Sequence, residues 1–208
     1  RSVLRRCREL AADFRAVPTM ERRVQKIAVV GDIYTKYCRL GNWDLETYLA
    51  EHRCEMAVNG LSWYVLYYLD THLDGNSRLF QLGGRAAMDW FAALQARMIR
   101  ILRGSDFTVP PPYREMKALA EGLPPVSCAV GSGWLLAAET AAWVRAGYRK
   151  VLGVLPFGCL PGHIYGRGQF SLLQRRLPGS LITGVEYDAS LRDGTVESCI
   201  RMLLDTEL

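Results

Sequence analysis

The sequence predicts an α/β domain built on a small, doubly wound, mainly parallel four-stranded sheet with a helical insertion. Two observations predict the sheet. Short apolar runs rich in β-branched residues recur at 26–31, 54–58, 150–155 and 181–186. Helical patterns separate these runs, which is the order that parallel strands joined by crossover helices require. A third observation predicts the insertion: about 73–125 carries helical periodicity and a proline break without any strand pattern.

Taken in order, residues 3–16 read as a helix that Pro18 closes. The first strand follows at 26–31 and ends in Gly31. A helix is expected over 42–52, with Leu45, Tyr48 and Leu49 on one face, before the second strand and an aromatic-rich helix over 61–70. A long helix over 85–103 sets Met88, Phe91, Met98 and Leu102 on a common face, and Gly104 ends it. Pro110, Pro111 and Pro112 break the chain ahead of a short helix over 113–121. Ser132 is placed to cap a helix running to about 146. The third strand leads into a glycine- and proline-rich loop and a helix through 176, and the fourth strand into a helix over 195–204. The expected division is a basic N-terminal helix over 1–25 and a single α/β domain over 26–208.

Composition narrows the function classes. Half of the 208 residues are apolar and 23% are charged, a globular balance that argues against disorder. The net charge of +5 is local: residues 1–26 carry eight Lys or Arg against three Asp or Glu, and the rest is neutral. That basic helix (Arg5, Arg6, Arg8, Arg15, Arg22, Arg23) lacks stacking aromatics apart from Phe14, so nucleic acid is not expected as a partner. The least charged stretch, 126–144, contains Gly131, Ser132, Gly133 and Glu139, too polar for a membrane span. With no leader pattern at its start, the chain is expected in the cytoplasm with reduced thiols. Its six cysteines (Cys7, Cys38, Cys54, Cys128, Cys159 and Cys199) form no C-x-x-C pair.

Open parallel sheets bind ligands beyond the carboxyl ends of their strands. Four segments of unusual polarity fall there or at a helix start: 31–36, 131–139, 156–163 and 186–188. Cys159 lies between two prolines and two glycines, four residues past a strand and just before a helix. A thiol near a helix N-terminus feels the positive end of the dipole, which favours the thiolate that metal ligation and nucleophilic attack both require. The competing reading is a small residue filling a tight turn. His163 either pairs with Cys159 or caps a turn. Asp32 is a candidate for binding a cation or hydroxyl, or a loop cap, and Tyr34 shares its segment. Lys36 is a candidate phosphate ligand or a solvated lysine. Glu139 sits among Leu136, Ala142 and Trp143, so it is either paired and half-buried or turned outward. Gly31 and Gly41 do not make a G-x-G-x-x-G nucleotide fingerprint.

Three blocks carry a resemblance. They are Val29 to Lys36 with Asn42, Gly131 to Glu139, and Pro156-Phe157-Gly158-Cys159-Leu160-Pro161-Gly162-His163 with Gly166 and Gly168. Together they resemble the 2-hydroxyacyl-CoA dehydratase-related family. The match is closest to the dehydratase-like domain of the large acyl-CoA dehydratase activase-related (CoA-substrate-specific enzyme activase) proteins.

The resemblance implies a Rossmann-like domain in an iron–sulfur electron-transfer system of anaerobic metabolism. There an activator ATPase drives an electron into a 4Fe–4S cluster, and the cluster reduces an acyl-CoA so that water can leave. It assigns Cys159 as a metal ligand, an activator ATPase domain or subunit as partner, and an acyl-CoA as ligand.

Several positions depart from the pattern. Asp32 and Asn59-Gly60-Leu61 stand where the dehydratases place their other cysteines, and Ser132, Ala189-Ser190 and Ser198-Cys199 replace further family residues. A 4Fe–4S cluster takes about three or four thiolates. The cluster is therefore expected in the full-length protein or assembly, and not in this chain alone. Three functions compete: a domain of that electron-transfer system, a non-catalytic α/β module binding a ligand or partner, and a thiol enzyme using Cys159 and His163.

Overall fold

The computed structural model of the protein describes residues 2–19, 23–73, 77–105, 107–122, 129–189 and 194–208. In chain order the elements are α1 (Ser2–Arg15), β1 (Gln25–Gly31), α2 (Ile33–Tyr37), α3 (Leu45–Glu51), β2 (Cys54–Ala57), α4 (Leu61–His72) and α5 (Arg78–Arg103). They continue with α6 (Tyr113–Leu119), α7 (Gly133–Arg145), β3 (Lys150–Pro156), α8 (Gly168–Arg176), β4 (Leu181–Tyr187) and α9 (Gly194–Asp205). A π-helical turn, Gly162–Arg167, leads directly into α8. These elements form two compact units, one of residues 1–22 and 60–118, the other of 23–59 and 119–208.

The second unit is the α/β one. Its strands pair in the order β2-β1-β3-β4, all parallel. Alternate side chains of each strand leave on opposite faces, and both faces are covered. Ile27, Val29, Leu152, Val154 and Val185 pack against Leu45 and Leu49 of α3 and Val196, Ile200 and Leu203 of α9. Ala28, Val30, Val151, Leu155 and Ile182 pack against Leu136 and Trp143 of α7 and Phe170 and Leu173 of α8. This two-sided burial is why the strands read as continuous apolar runs.

Two glycine features shape the sheet. Gly31, at the end of β1, has φ of 132°, and a Cβ there would run into the backbone of Val154. Gly153 and Gly184 are register partners on β3 and β4, and both leave room for the ring of Phe170.

The helical unit holds α1, α4, α5 and nearly all of α6. Its interior includes Cys7, Trp63, Leu66, Tyr67, Ala92, Ile99, Tyr113 and Met116. Gln95 is buried with them. Its amide donates to Ser62 Oγ at 2.9 Å and accepts the Tyr113 N–H at 3.0 Å. Tyr113 Oη and Lys117 Nζ both donate to Asp70, at 2.8 and 2.6 Å.

Three local expectations change. The helix expected over 42–52 is shorter, because Trp43 and Asp44 take φ of 53° and 60°, which no helix continues. The long helix starts at Arg78 rather than 85, and its fully buried line is Ala92, Gln95 and Ile99, with Met88, Phe91, Met98 and Leu102 half-buried beside it. Ser132 precedes α7 without a side-chain cap, and its hydroxyl donates to the carbonyl of Gly31 at 3.4 Å. Cys128 and Ser190 lie outside the described residues.

Candidate functional site

Asp32 follows β1 immediately and caps α2. Its carboxylate accepts the backbone N–H groups of Tyr34 and Thr35 at 2.8 and 3.2 Å, the ordinary work of an N-cap aspartate. The next turn is fastened to the neighbouring strand. Asp32 N–H and Thr35 Oγ1 both donate to the carbonyl of Val154, each at 3.0 Å. Asn42 Nδ2 donates to the Thr35 carbonyl at 2.9 Å, and Asn42 Oδ1 accepts the Leu45 N–H, so this loop is tied to α3 as well.

Lys36 points inward. Its Nζ lies 3.1 and 3.0 Å from the two carboxylate oxygens of Glu139 on α7, and the side chains are 5% and 3% exposed. Of the alternatives open from the sequence, Glu139 takes the paired one, and Lys36 is a buried partner rather than a solvated lysine. Tyr37 sits beside them and donates to the carbonyl of Asn59. Burial, and then the charge of Glu139, push its phenol far above the usual range.

On the outer side of α2 lie Tyr34 and Cys38, whose side chains are hydrogen-bonded to each other. That bond, with backbone hydrogen bonds from Gly41 and Leu40, lowers the Cys38 thiol below its ordinary value. The hydroxyl of Tyr34 is raised by the same contact.

The β3 loop supplies the other half of the rim. Cys159 is half-buried, its N–H donates to the Pro156 carbonyl at 3.1 Å, and its own carbonyl accepts the His163 N–H at 3.0 Å. The bare Cα of Gly162 leaves space for the Cys159 sulfur, since a Cβ there would sit 3.3 Å from it. Gly131, with φ of 60°, packs so closely on Pro161 that a Cβ would approach it to 2.7 Å. His163 Nε2 stands 3.6 Å from Glu186 Oε2 at the end of β4, and Arg167, one turn later, donates to the other Glu186 oxygen. Phe157 N–H donates to the Tyr187 carbonyl at 2.9 Å.

All four segments marked out by the sequence therefore meet at the carboxyl edge of the sheet. Gly31 to Lys36 reaches the start of α7 through Ser132 and Glu139, α7 reaches the Cys159 loop through Gly131, and that loop reaches β4 through His163 and Phe157. Beyond β4 a cleft of about 350 Å³ opens, walled by Phe157, Val185 and Val196 with Arg167, Glu186, Asp188, Thr195 and Cys199 around it. Glu186 opens the marked 186–188 segment, whereas Arg167 lies outside all four. The one-turn spacing of His163 and Arg167 was the available signal, but a carboxylate shared from another strand has no sequence signature.

Among the described residues, the donor set does not match the cluster that the resemblance implies. Cys38, Cys54, Cys159 and Cys199 are free and half-buried, and Cys7 is buried in α1. Among the described residues, no three His, Cys, Asp or Glu side chains are grouped to hold a metal ion. Asp32, where the resemblance places a cysteine, uses its carboxylate as a cap. No family model, curated protein or solved structure matches the chain. Among the described residues no helix is long and apolar enough to cross a membrane.

Proposed function

We propose that this chain is a ligand-binding α/β module of the dehydratase-like kind, which takes the acyl end of a CoA thioester in the cleft beyond β4. The observation that carries this reading is the way the rim spends its charges. Lys36 is matched by Glu139 and Glu186 by Arg167, and the cleft beside them is walled by Phe157, Val185 and Val196. About 350 Å³ is at the small end of ligand-sized pockets, room for a short acyl group and its thioester. The CoA portion of the reading comes from the resemblance.

Isothermal titration with CoA, acetyl-CoA and a longer acyl-CoA tests it. The acyl-CoAs should bind more tightly than CoA, and Phe157→Ala or Arg167→Ala should weaken them by about tenfold, the loss of one good contact. A folded chain that binds none of the three would overturn the reading.

A second reading follows from Cys159, which stands half-buried at the end of β3 where the resemblance places a cluster ligand. Here the cytoplasmic full-length protein or its assembly with an activator ATPase completes a 4Fe–4S site with cysteines of a longer chain or of another subunit. Iron and sulfide analysis of anaerobically purified full-length protein decides it. Cys159→Ser should lower the iron content, because a hydroxyl is a poor ligand for a soft metal. Unchanged iron in a folded Cys159→Ser protein would remove Cys159 from the ligand set.

A further inference from the structure

The amino edge of the sheet gathers cations of the α/β unit. All four strands run the same way, so the residues that lead into β1, β2 and β3 meet at one edge, with Gln25 beside Cys54 and Ile27 beside Lys150 in register. There Arg23, Lys26, Arg53, Arg149 and Lys150 line a cleft of about 970 Å³, together with the carboxylates of Asp205 and Glu207. The unit as a whole is neutral, with thirteen Lys or Arg and thirteen Asp or Glu. Five of those cations but only two of those anions line this one cleft.

Cations at this edge have an ordinary use, since helices end here and their last carbonyls attract positive charge. Lys150 has that use. Its Nζ donates to the carbonyl of Leu204 in the last turn of α9 and to Gln25 Oε1, and Asp205 and Glu207 add their attraction. Lys26 lies over the ring of Tyr148, 5.4 Å from its centre. The guanidinium groups of Arg23, Arg53 and Arg149 have no acceptor among the described residues. Two of these arginines are held in place. Arg53 takes φ of 57°, a costly value for arginine, in a turn fixed by its N–H on the Ala50 carbonyl at 3.0 Å and by its own carbonyl, which accepts the Gln25 N–H at 3.1 Å. Arg149 lies against Gly179, where a Cβ would come within 2.8 Å of its guanidinium.

We infer that this cleft is a polyphosphate site, in which Arg23, Arg53 and Arg149 hold the phosphate groups of a small ligand. A guanidinium pairs with phosphate oxygens through two parallel N–H bonds. Three of them leading into three adjacent strands, about 5 Å apart, match a chain of two or three phosphates better than a single one. Apart from His52, which stacks on Tyr48, the lining has no aromatic ring to take a base. Recognition therefore rests on the phosphates, and a single-stranded nucleic acid, which needs stacking platforms, is disfavoured. A concave cleft likewise suits a small ligand better than a lipid surface. The site lies at the opposite end of the strands from the cleft beyond β4, so it stands whether or not that cleft takes an acyl group.

Isothermal titration of the full chain with magnesium-free sodium tripolyphosphate, pyrophosphate and phosphate tests the inference. Tripolyphosphate should bind one to one and most tightly, and phosphate most weakly. Arg23→Gln, Arg53→Gln and Arg149→Gln should each weaken tripolyphosphate by about tenfold, the loss of one charge-assisted contact. Arg53→Gly should do the same without loss of stability, because glycine suits the positive φ. Glu207→Gln should tighten binding, and Arg175→Gln, which removes an exposed cation of α8 outside the cleft, should leave it unchanged. Adenosine triphosphate separates two sources of such phosphates: no gain over tripolyphosphate assigns the bare chain, and a gain assigns a nucleotide to the same site. No tripolyphosphate binding, or a loss in Arg175→Gln as large as in Arg149→Gln, would overturn the inference. So would a chain that ignores tripolyphosphate yet binds single-stranded RNA or phosphatidylglycerol vesicles through Arg149.

Discussion

Lys36 and Glu139, 103 residues apart, form a two-oxygen ion pair in the interior, directly behind the carboxyl edge of the sheet. The pair joins α2 to α7, so the loop after β1 is held to the helix whose start packs on the Cys159 loop. Burying two charges is costly, and their attraction offsets that cost only when both are present with good geometry. A pair in this position fixes the arrangement of the rim more than it adds to stability.

Removing one partner should be far worse than removing both. Glu139→Gln strands an ammonium in the interior and should destabilise the α/β unit by about 3–5 kcal/mol. Lys36→Met with Glu139→Leu should recover most of the loss, because no charge is left buried. Urea denaturation of the three proteins checks this. A double variant as unstable as Glu139→Gln would show that the pair itself, rather than the stranded charge, supplies the stability.

The glycine pair under Phe170 makes a packing prediction. Gly153 and Gly184 face each other across β3 and β4, and the Phe170 ring occupies the space that their side chains would take. Gly153→Val should overpack the site and cost about 1–3 kcal/mol. Adding Phe170→Ala should relieve part of that cost, a non-additive result that independent sites would not give. Strict additivity in thermal unfolding would mean the ring is not what excludes the side chain.

Much of the fold was legible because the sheet is buried on both faces. Strands such as β1 and β3 then have to be apolar throughout, and all four lie within two residues of where the runs predicted them. Boundaries set by long-range pairing were not legible. Nothing around Trp43 and Asp44 announces a positive φ; Asp44 is held there by Arg39, five residues earlier. The first two turns of α5 were missed because Leu79, Phe80 and Leu82 do not face the core that defines the helical period further on. At the rim, the loops could be read from their glycines and prolines. The pairings of Lys36 with Glu139 and of His163 and Arg167 with Glu186 come only from the three-dimensional arrangement.

Gln95 illustrates a polar residue at a core position. Its two hydrogen bonds serve the Ser62 hydroxyl and the Tyr113 N–H, and Tyr113 begins α6, where the N–H has no helical partner. Gln95→Leu keeps the shape and removes the acceptor, so the buried N–H is left unmade at a cost of about 1–3 kcal/mol. Amide exchange at Tyr113 should accelerate accordingly. Exchange as slow as in the wild type would show that another acceptor replaces Gln95.

Cys38 and Cys54 should titrate in an order set by their surroundings. Cys38 lies below the ordinary thiol value, chiefly through the hydroxyl of Tyr34, while Cys54 lies above it because burial outweighs the pull of Lys150. Alkylation by iodoacetamide follows the thiolate, so the pH midpoint should be lower at Cys38 than at Cys54 when the two peptides are followed separately. Tyr34→Phe removes the main cause and should move the Cys38 midpoint upward. The same shift makes stability depend on pH with a definite sign. Between the lowered value and the ordinary one, the unfolded chain binds a proton at Cys38 that the folded chain does not, so stability rises with pH across that window. The gain is complete above the ordinary thiol value and is lost as the pH falls through the lowered one. In Tyr34→Phe the window narrows and the slope flattens, and equal Cys38 midpoints in the two proteins would show that the Tyr34 hydroxyl does not stabilise the thiolate.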